Sequence, residues 1–310
     1  MDYNKIKSEY KIDKEIKKII KSLNGYAHEL KDLPELKEYL PYFIKLPGRR
    51  KRLIKLIAFS KICGDLNENI RHIINALEFS NAAVFIDDDV IDHDSFRKGR
   101  PTLNNLIGFE KTLLIGNMLF ILSLREIQKI KCDLELKEEI MQDFSKSLFI
   151  ENCGQYMDMS FKNNFKNKNL GDWEKMIIRN SGSYVISALK AIAKINHKNR
   201  LAKIIENYEK NCTLAGAAED ALIGFIGKEK ISKDLENKNF TILISYSNLK
   251  EDIKEKDLNE KIIETKSEQK TRQYIELKVN KSLSYIDKIS PSFDREVLKF
   301  LVEELRGKNE

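Results

Sequence analysis

Proline is scarce in this chain. Five occur, Pro34, Pro41, Pro47, Pro101 and Pro291, and none lies between Thr102 and Ser290. A stretch that long without a helix breaker, rich in Leu, Ile, Lys and Glu, predicts helices. Cysteine is sparse too. Cys63, Cys132, Cys153 and Cys212 are far apart and lack metal-site spacing. They read as reduced thiols of a cytoplasmic protein. No apolar h-region opens MDYNKIKSEYKIDKE, so no signal peptide is read there. The longest apolar run, 112–124, falls short of the ~20 residues that span a bilayer, which argues against a transmembrane segment. No linker rich in Pro, Gly or Ser divides the 310 residues, and no repeat of fixed period is present. One large domain over 1–310 is therefore expected, above the usual ~100–200 residues. The net charge of +7 is spread over interspersed Lys and Glu, with no stripe suited to nucleic acid.

What is present concentrates between Glu78 and Thr102. An apolar run, LEFSNAAVFI, reads as a buried helix. It leads into Asp87, Asp88, Asp89, Asp92 and Asp94, then Arg97-Lys98-Gly99-Arg100 and Pro101. Continuing the helix puts Asp88 and Asp92 on one face, four residues apart, where two carboxylates repel unless a cation sits between them. Oxygen-only ligands suit Mg²⁺, which keeps waters and shares itself between one or two carboxylates and substrate phosphates. The basic residues just beyond suit the phosphate. A solvated loop or helix cap is the competing reading of an Asp-rich run, but such loops rarely follow ten largely apolar residues.

Upstream, residues 1–45 read as two or three helices, and Leu46-Pro47-Gly48 as a turn. Arg49-Arg50-Lys51-Arg52 follows: a basic helix start, a nucleic-acid or localisation patch, or a diphosphate cradle with Arg49 and Arg52 on one face. LIKLIAFSKIC is a core helix closed by Gly64, and another helix starts near Glu68. Downstream, helices are expected over 106–130 and 134–159, the second placing Gln155 and Asp158 three apart. Asp172 is expected to cap a helix that runs to Ile195, with Trp173 and Tyr184 as packing residues. A further helix is expected from Arg200 to Asp220 and a loop over 221–241, with 249–280 charged and exposed. After a turn at Pro291 comes a last amphipathic helix carrying Leu298, Leu301, Val302 and Leu305.

On these residues the chain resembles the trans-isoprenyl diphosphate synthases, the polyprenyl synthetase family. Asp88-Asp89-Val90-Ile91-Asp92 with Arg97-Lys98-Gly99 and Pro101-Thr102 is similar to the family's first aspartate-rich motif and its basic sequel. Arg49 and Arg52 match its upstream Lys-x-x-Arg, Gly154-Gln155-x-x-Asp158 its Gly-Gln-x-x-Asp, and Gly227-Lys228 with Asp234, Lys238 and Thr241 the stretch after its second aspartate-rich motif. The resemblance covers nearly the whole chain. It implies an all-α bundle of long helices around a deep apolar cavity, the isoprenoid synthase-type fold, usually dimeric. It implies catalytic roles for Asp88, Asp92 and Arg97, and Mg²⁺ bound by Asp88 and Asp92, with Asp158 and Asp220 as further candidate ligands. Diphosphate-binding roles fall to Arg49, Arg52, Asn81, Asp89, Arg97, Lys98, Gln155, Lys228 and Lys238. The substrates implied are isopentenyl diphosphate and an allylic diphosphate.

The chain also departs from the pattern. Where the second aspartate-rich motif is expected it has AGAAEDALIG, keeping Asp220 beside Glu219. The family's Lys-Thr becomes Asn180-Ser181, with Arg179 adjacent. Asn81 and Asp87 stand where histidines are usual. Three functions are therefore carried forward: an active prenyltransferase, a catalytically impaired subunit that works as a heteromer with an intact homologue, and a class I terpene cyclase. The cyclase would not need Arg49 and Arg52. Ser80, Ala83 and Val84, small residues one and two turns before the aspartates, and Phe120 as a floor are expected to line the chain-length pocket, leaving room for products of C20 or longer.

Overall fold

A helix with a largely apolar middle must be covered there on every side, and α5 (Lys51–Cys63) is. Every residue from Leu53 to Ser60 is buried, and Gly64 ends the helix as expected. The computed structural model describes residues 1–29, 32–162, 164, 167–226, 239–247 and 255–307. Almost all of the described structure is helical. The described residues pack as two compact units, Met1–Ser145 with Ala191–Lys198, and Lys146–Lys190 with Asn199–Glu310.

The first unit begins with α1 (Tyr3–Glu9), α2 (Ile12–Ala27) and two single turns, α3 (Leu36–Tyr39) and α4 (Tyr42–Lys45). Its spine is α6 (Glu68–Ile91). Asn67 caps the start of α6 by accepting the Ile70 N–H at 3.0 Å. Along this spine packs α8 (Phe109–Gln128). The single helix expected over 106–130 is in fact broken: α7 (Leu103–Ile107) stops at Gly108, whose φ of 84° a side chain would resist. Near the start of α6 the carboxylate of Glu126, from α8, is fully buried. It accepts from Tyr26 Oη at 2.6 Å, Asn75 Nδ2 at 2.9 Å, Lys129 Nζ at 3.0 Å and Ser22 Oγ at 3.3 Å, with His72 Nδ1 at 2.8 Å. Burial pushes this carboxyl up, but the donors from His72, Tyr26, Asn75 and Lys129 outweigh it and bring it down to about 2.

α9 (Leu134–Phe161) follows. The helix beyond it starts earlier than expected: Asn169 is the N-cap of α10 (Leu170–Ile177), and Asp172 closes the capping box from inside the first turn. A π turn, Ile178–Gly182, then leads into α11 (Ser183–Ile195). Trp173 and Tyr184 are buried, as packing residues should be. α12 (Asn199–Ile226) continues six residues past Asp220, so the loop expected from 221 does not begin there. The chain resumes with α13 (Ile242–Tyr246), α14 (Glu255–Glu264), α15 (Ser267–Ile286) and α16 (Phe293–Glu303). In the second unit α12 packs along α15, and the stripe of Leu298, Leu301, Val302 and Leu305 is buried.

Candidate functional site

The helical turn from Asp88 to Asp92 is intact. The Asp92 N–H donates to the Asp88 carbonyl at 2.9 Å, so the two half-buried carboxylates share a face at the end of α6. The chain then reverses. Thr102 Oγ1 and Asn104 Nδ2 both donate to the Asp94 carbonyl, at 2.6 and 2.8 Å. A short antiparallel pair follows, β1 (Phe96–Arg97) and β2 (Arg100–Pro101), with Phe96 opposite Pro101. Lys98 and Gly99 form its tip at φ of 51° and 76°, the double positive φ of a type I′ turn. The sequence reading missed this hairpin. Gly99 after Lys98 between two arginines was the available signal.

The hairpin aims the basic residues back at the helix. Arg97 Nε donates to the buried Asp89 carboxylate at 2.5 Å. Burial raises the Asp89 carboxyl, Arg97 lowers it, and the negative charges of Asp94 and Asp92 raise it again, for a net upward shift. Lys98 Nζ lies over Gly48, only 2.8 Å from where a Cβ would stand, so a side chain at 48 would displace the ammonium. Lys98 is exposed as a whole, but desolvation of its ammonium end, with Arg50, Arg97 and Arg52 nearby, lowers its pKa against the pull of Glu78. From the start of α5, Arg52 donates to Asn81 Oδ1 on α6. Arg50 is committed to the Pro47-Gly48 turn, donating to the Ile44 and Leu46 carbonyls at 2.5 and 2.6 Å. Arg49 is exposed, its guanidinium carbon 5.6 Å from the Tyr3 ring centroid. Beneath them Glu78 is buried. Burial raises its carboxyl against the pull of Arg50, Arg52 and Lys98. The first unit thus brings Arg52, Asn81, Asp89, Arg97 and Lys98 together beside Asp88 and Asp92.

Two features here were not foreseen. Arg52 and Arg97 both lie over the ring of Phe85, their guanidinium carbons 5.2 and 5.1 Å from its centroid. Asp87 presses against α8: a Cβ on Gly116 would stand 2.7 Å from its Oδ1, and burial pushes its carboxyl up to about 6. Of the chain-length candidates, Ser80, Ala83 and Val84 are buried and Phe120 is half-buried. The Ser80 hydroxyl has no hydrogen-bond partner among the described residues.

The second unit holds the remaining candidates. Gln155 Oε1 on α9 accepts from Asn180 Nδ2 on the π turn. Gly154 allows this approach, because a Cβ there would collide with the Asn180 backbone. Arg179 instead turns to Met157 Sδ, 3.1 Å away. Asp158 is half-buried on α9, and Asp220 is exposed on α12. Lys228 and Lys238, with Gly227 and Asp234, lie outside the described residues.

No group of three or more His, Cys, Asp or Glu side chains among the described residues forms a metal cage. The donor set at Asp88 and Asp92 instead fits a hard cation that also takes water and substrate oxygens, as Mg²⁺ does.

A model of polyprenyl synthetase matches residues 33–278. The chain belongs to the polyprenyl synthetase family. Its relatives include the short chain isoprenyl diphosphate synthase of Methanocaldococcus jannaschii, 25% identical over 64% of this chain and 62% of that protein. Another is the geranylgeranyl pyrophosphate synthase of Geoglobus acetivorans, 27% identical over 66% and 65%. The match thus spans just under two thirds of either relative. Among solved structures, geranylgeranyl pyrophosphate synthetase from Pyrococcus horikoshii superposes with a TM-score of 0.86 at 18% identity, over 99% of this chain and 98% of that one. This confirms the all-α fold of isoprenoid synthases. No helix among the described residues is long and apolar enough to cross a membrane.

Proposed function

We propose that this polyprenyl synthetase family member is a prenyltransferase that condenses isopentenyl diphosphate with an allylic diphosphate. The observation that carries the reading is the gathering of Arg52, Arg97 and Lys98 beside the paired carboxylates Asp88 and Asp92. Two polyanionic substrates need two sets of cations. Arg97, fixed by Asp89, serves the allylic diphosphate; Arg49, Arg52 and Lys98 serve isopentenyl diphosphate. Mg²⁺ held through Asp88 and Asp92 would neutralise charge developing on the leaving diphosphate. Arg97 stabilises the same charge, so that the allylic C–O bond ionises. The isopentenyl double bond attacks the allylic cation, and a proton leaves the new chain, taken up by the departing diphosphate. The apolar length of α6 before Asp88 keeps water from the cation. Small side chains at Ala83 and Val84 leave room for a product of C20 or longer.

The family match runs through both units, which supports reading residues 1–310 as one domain. The four free cysteines suit the reducing cytoplasm. An apolar face on α8, with Leu113, Leu114 and Ile121 exposed, suits a dimer, either with itself or with an intact homologue. One observation favours a second reading, an impaired subunit of a heteromer. The positions of the second motif are eroded, and Asn180 answers Gln155 with a neutral amide where the family has lysine.

The test is prenyl transfer by the purified chain with Mg²⁺, labelled isopentenyl diphosphate and each allylic diphosphate in turn. Elongated product is expected, and the Asp88→Ala/Asp92→Ala double variant should lose at least about 10³-fold in rate. Mg²⁺-dependent binding of allylic diphosphate without product would instead select the impaired subunit.

A further inference from the structure

Gathering cations in one place costs repulsion, and the usual remedy, a carboxylate for each, would consume the donors a phosphate needs. Part of the remedy here is aromatic. Phe85 stands on α6 one turn before Asp88 and Asp89 and one turn after Asn81. Its neighbours Val84 and Ile86 are buried, while Phe85 keeps part of its surface open. The ring stacks on Phe43 with centroids 4.9 Å apart and planes 12° from parallel. Arg52, from α5, and Arg97, from the hairpin, bring their guanidinium carbons to 5.2 and 5.1 Å from its centroid. Lys98 Nζ lies 5.9 Å from the centroid of Phe43. Two rings therefore meet three cations from two separate segments.

A ring face attracts a cation through its quadrupole without accepting a strong hydrogen bond, so the N–H groups stay available. A shared ring also fixes where two guanidiniums stand relative to each other, which loose arginine side chains do not do. We propose that Phe85, seated on Phe43, is a positioning residue. It is a platform that holds the Arg52 and Arg97 guanidiniums side by side for the diphosphate groups of the two substrates. This rests on the prenyltransferase reading of the site. It assigns to an aromatic ring a task that reading left to the arginines alone.

The test replaces Phe85 in the full-length chain with progressively fluorinated phenylalanines. Fluorine drains the ring face of negative charge while nearly preserving size. Binding of inorganic diphosphate in the presence of Mg²⁺ is followed by calorimetry, and thermal stability is measured alongside. Affinity should fall stepwise to about ten-fold weaker at full fluorination, while a single cooperative melt shows that the fold is kept. Phe85→Leu should weaken binding to a similar extent, and Phe85→Tyr should restore it. Affinity that stays flat across the fluorinated series, with the unmodified chain binding diphosphate, would overturn the platform and leave the reading of the site standing. Absence of diphosphate binding by the unmodified chain would overturn both.

Discussion

The two ends of α6 handle charge in opposite ways. Near its start, His72 and Asn75 turn to the Glu126 carboxylate, which is wholly buried and supplied with donors from α2, α6 and Lys129 just past α8. Its hydrogen-bonding capacity is used within the protein. At the other end, Arg52 and Arg97 touch a ring, an amide and one carboxylate, and Lys98 is exposed. The exposed Lys98 leaves donors there for a ligand. One helix thus carries a cluster that holds the fold and the cluster proposed to meet substrate, about 20 Å apart at 1.5 Å per residue from Asn75 to Asp88. Saturation of hydrogen bonds, more than the presence of charge, separates a structural group from a functional one.

Four measurements can break or sharpen that contrast. The largest effect is expected from Glu126→Leu, which leaves His72 and Lys129 without their carboxylate. It should cost about 3–5 kcal/mol of stability in denaturant, while diphosphate affinity below the transition stays within about two-fold, since distant sites act independently. A larger loss of affinity would mean the two ends are coupled. Acid should expose the same cluster. The folded Glu126 pKa of about 2 lies below its ordinary 4.5, so its contribution is complete above pH 4.5 and is lost as pH falls toward 2. Between those limits the stability gap between the protein and Glu126→Gln should shrink by on the order of 3 kcal/mol, read from urea midpoints at several pH values.

At the other end, Lys98→Ala should reverse the pattern. Lys98 is exposed and its charge sits among three arginines, so stability should stay within about 0.5 kcal/mol. Isopentenyl diphosphate should bind about 10- to 100-fold more weakly, the worth of a charge-assisted hydrogen bond, as calorimetry would show. The smallest effect is expected midway. Ser80 buries a hydroxyl with no partner among the described residues, so Ser80→Ala should raise stability by about 1 kcal/mol, seen as a higher denaturant midpoint at unchanged slope.

The second unit adds a contrast of another kind. Its Gln155–Asn180 contact exists because Gly154 lets a π turn come against α9, a geometry often found at functional sites. Backbone shape there brings two neutral amides together without a charge.

Much of this was readable in the order of residues. Long proline-free, Leu- and Ile-rich segments predict helices because propensity and apolar spacing act locally, and α5, α6, α9 and α12 lie close to where they were expected. The intact turn from Asp88 to Asp92 also follows from spacing, since four residues make one helical neighbour pair. The boundaries that failed were local matters misread: Gly108 splitting α7 from α8, and Asn169 rather than Asp172 at the cap of α10. Other features depend on residues far apart in sequence. Glu126 meets Ser22 and Tyr26 across about a hundred positions, and Phe85 meets Phe43, Arg52 and Arg97 from three other segments. No periodicity encodes such meetings. They arise when helices pack and polar groups leaving water must find partners, so which charges become saturated and which stay open is set by the packing of the helices.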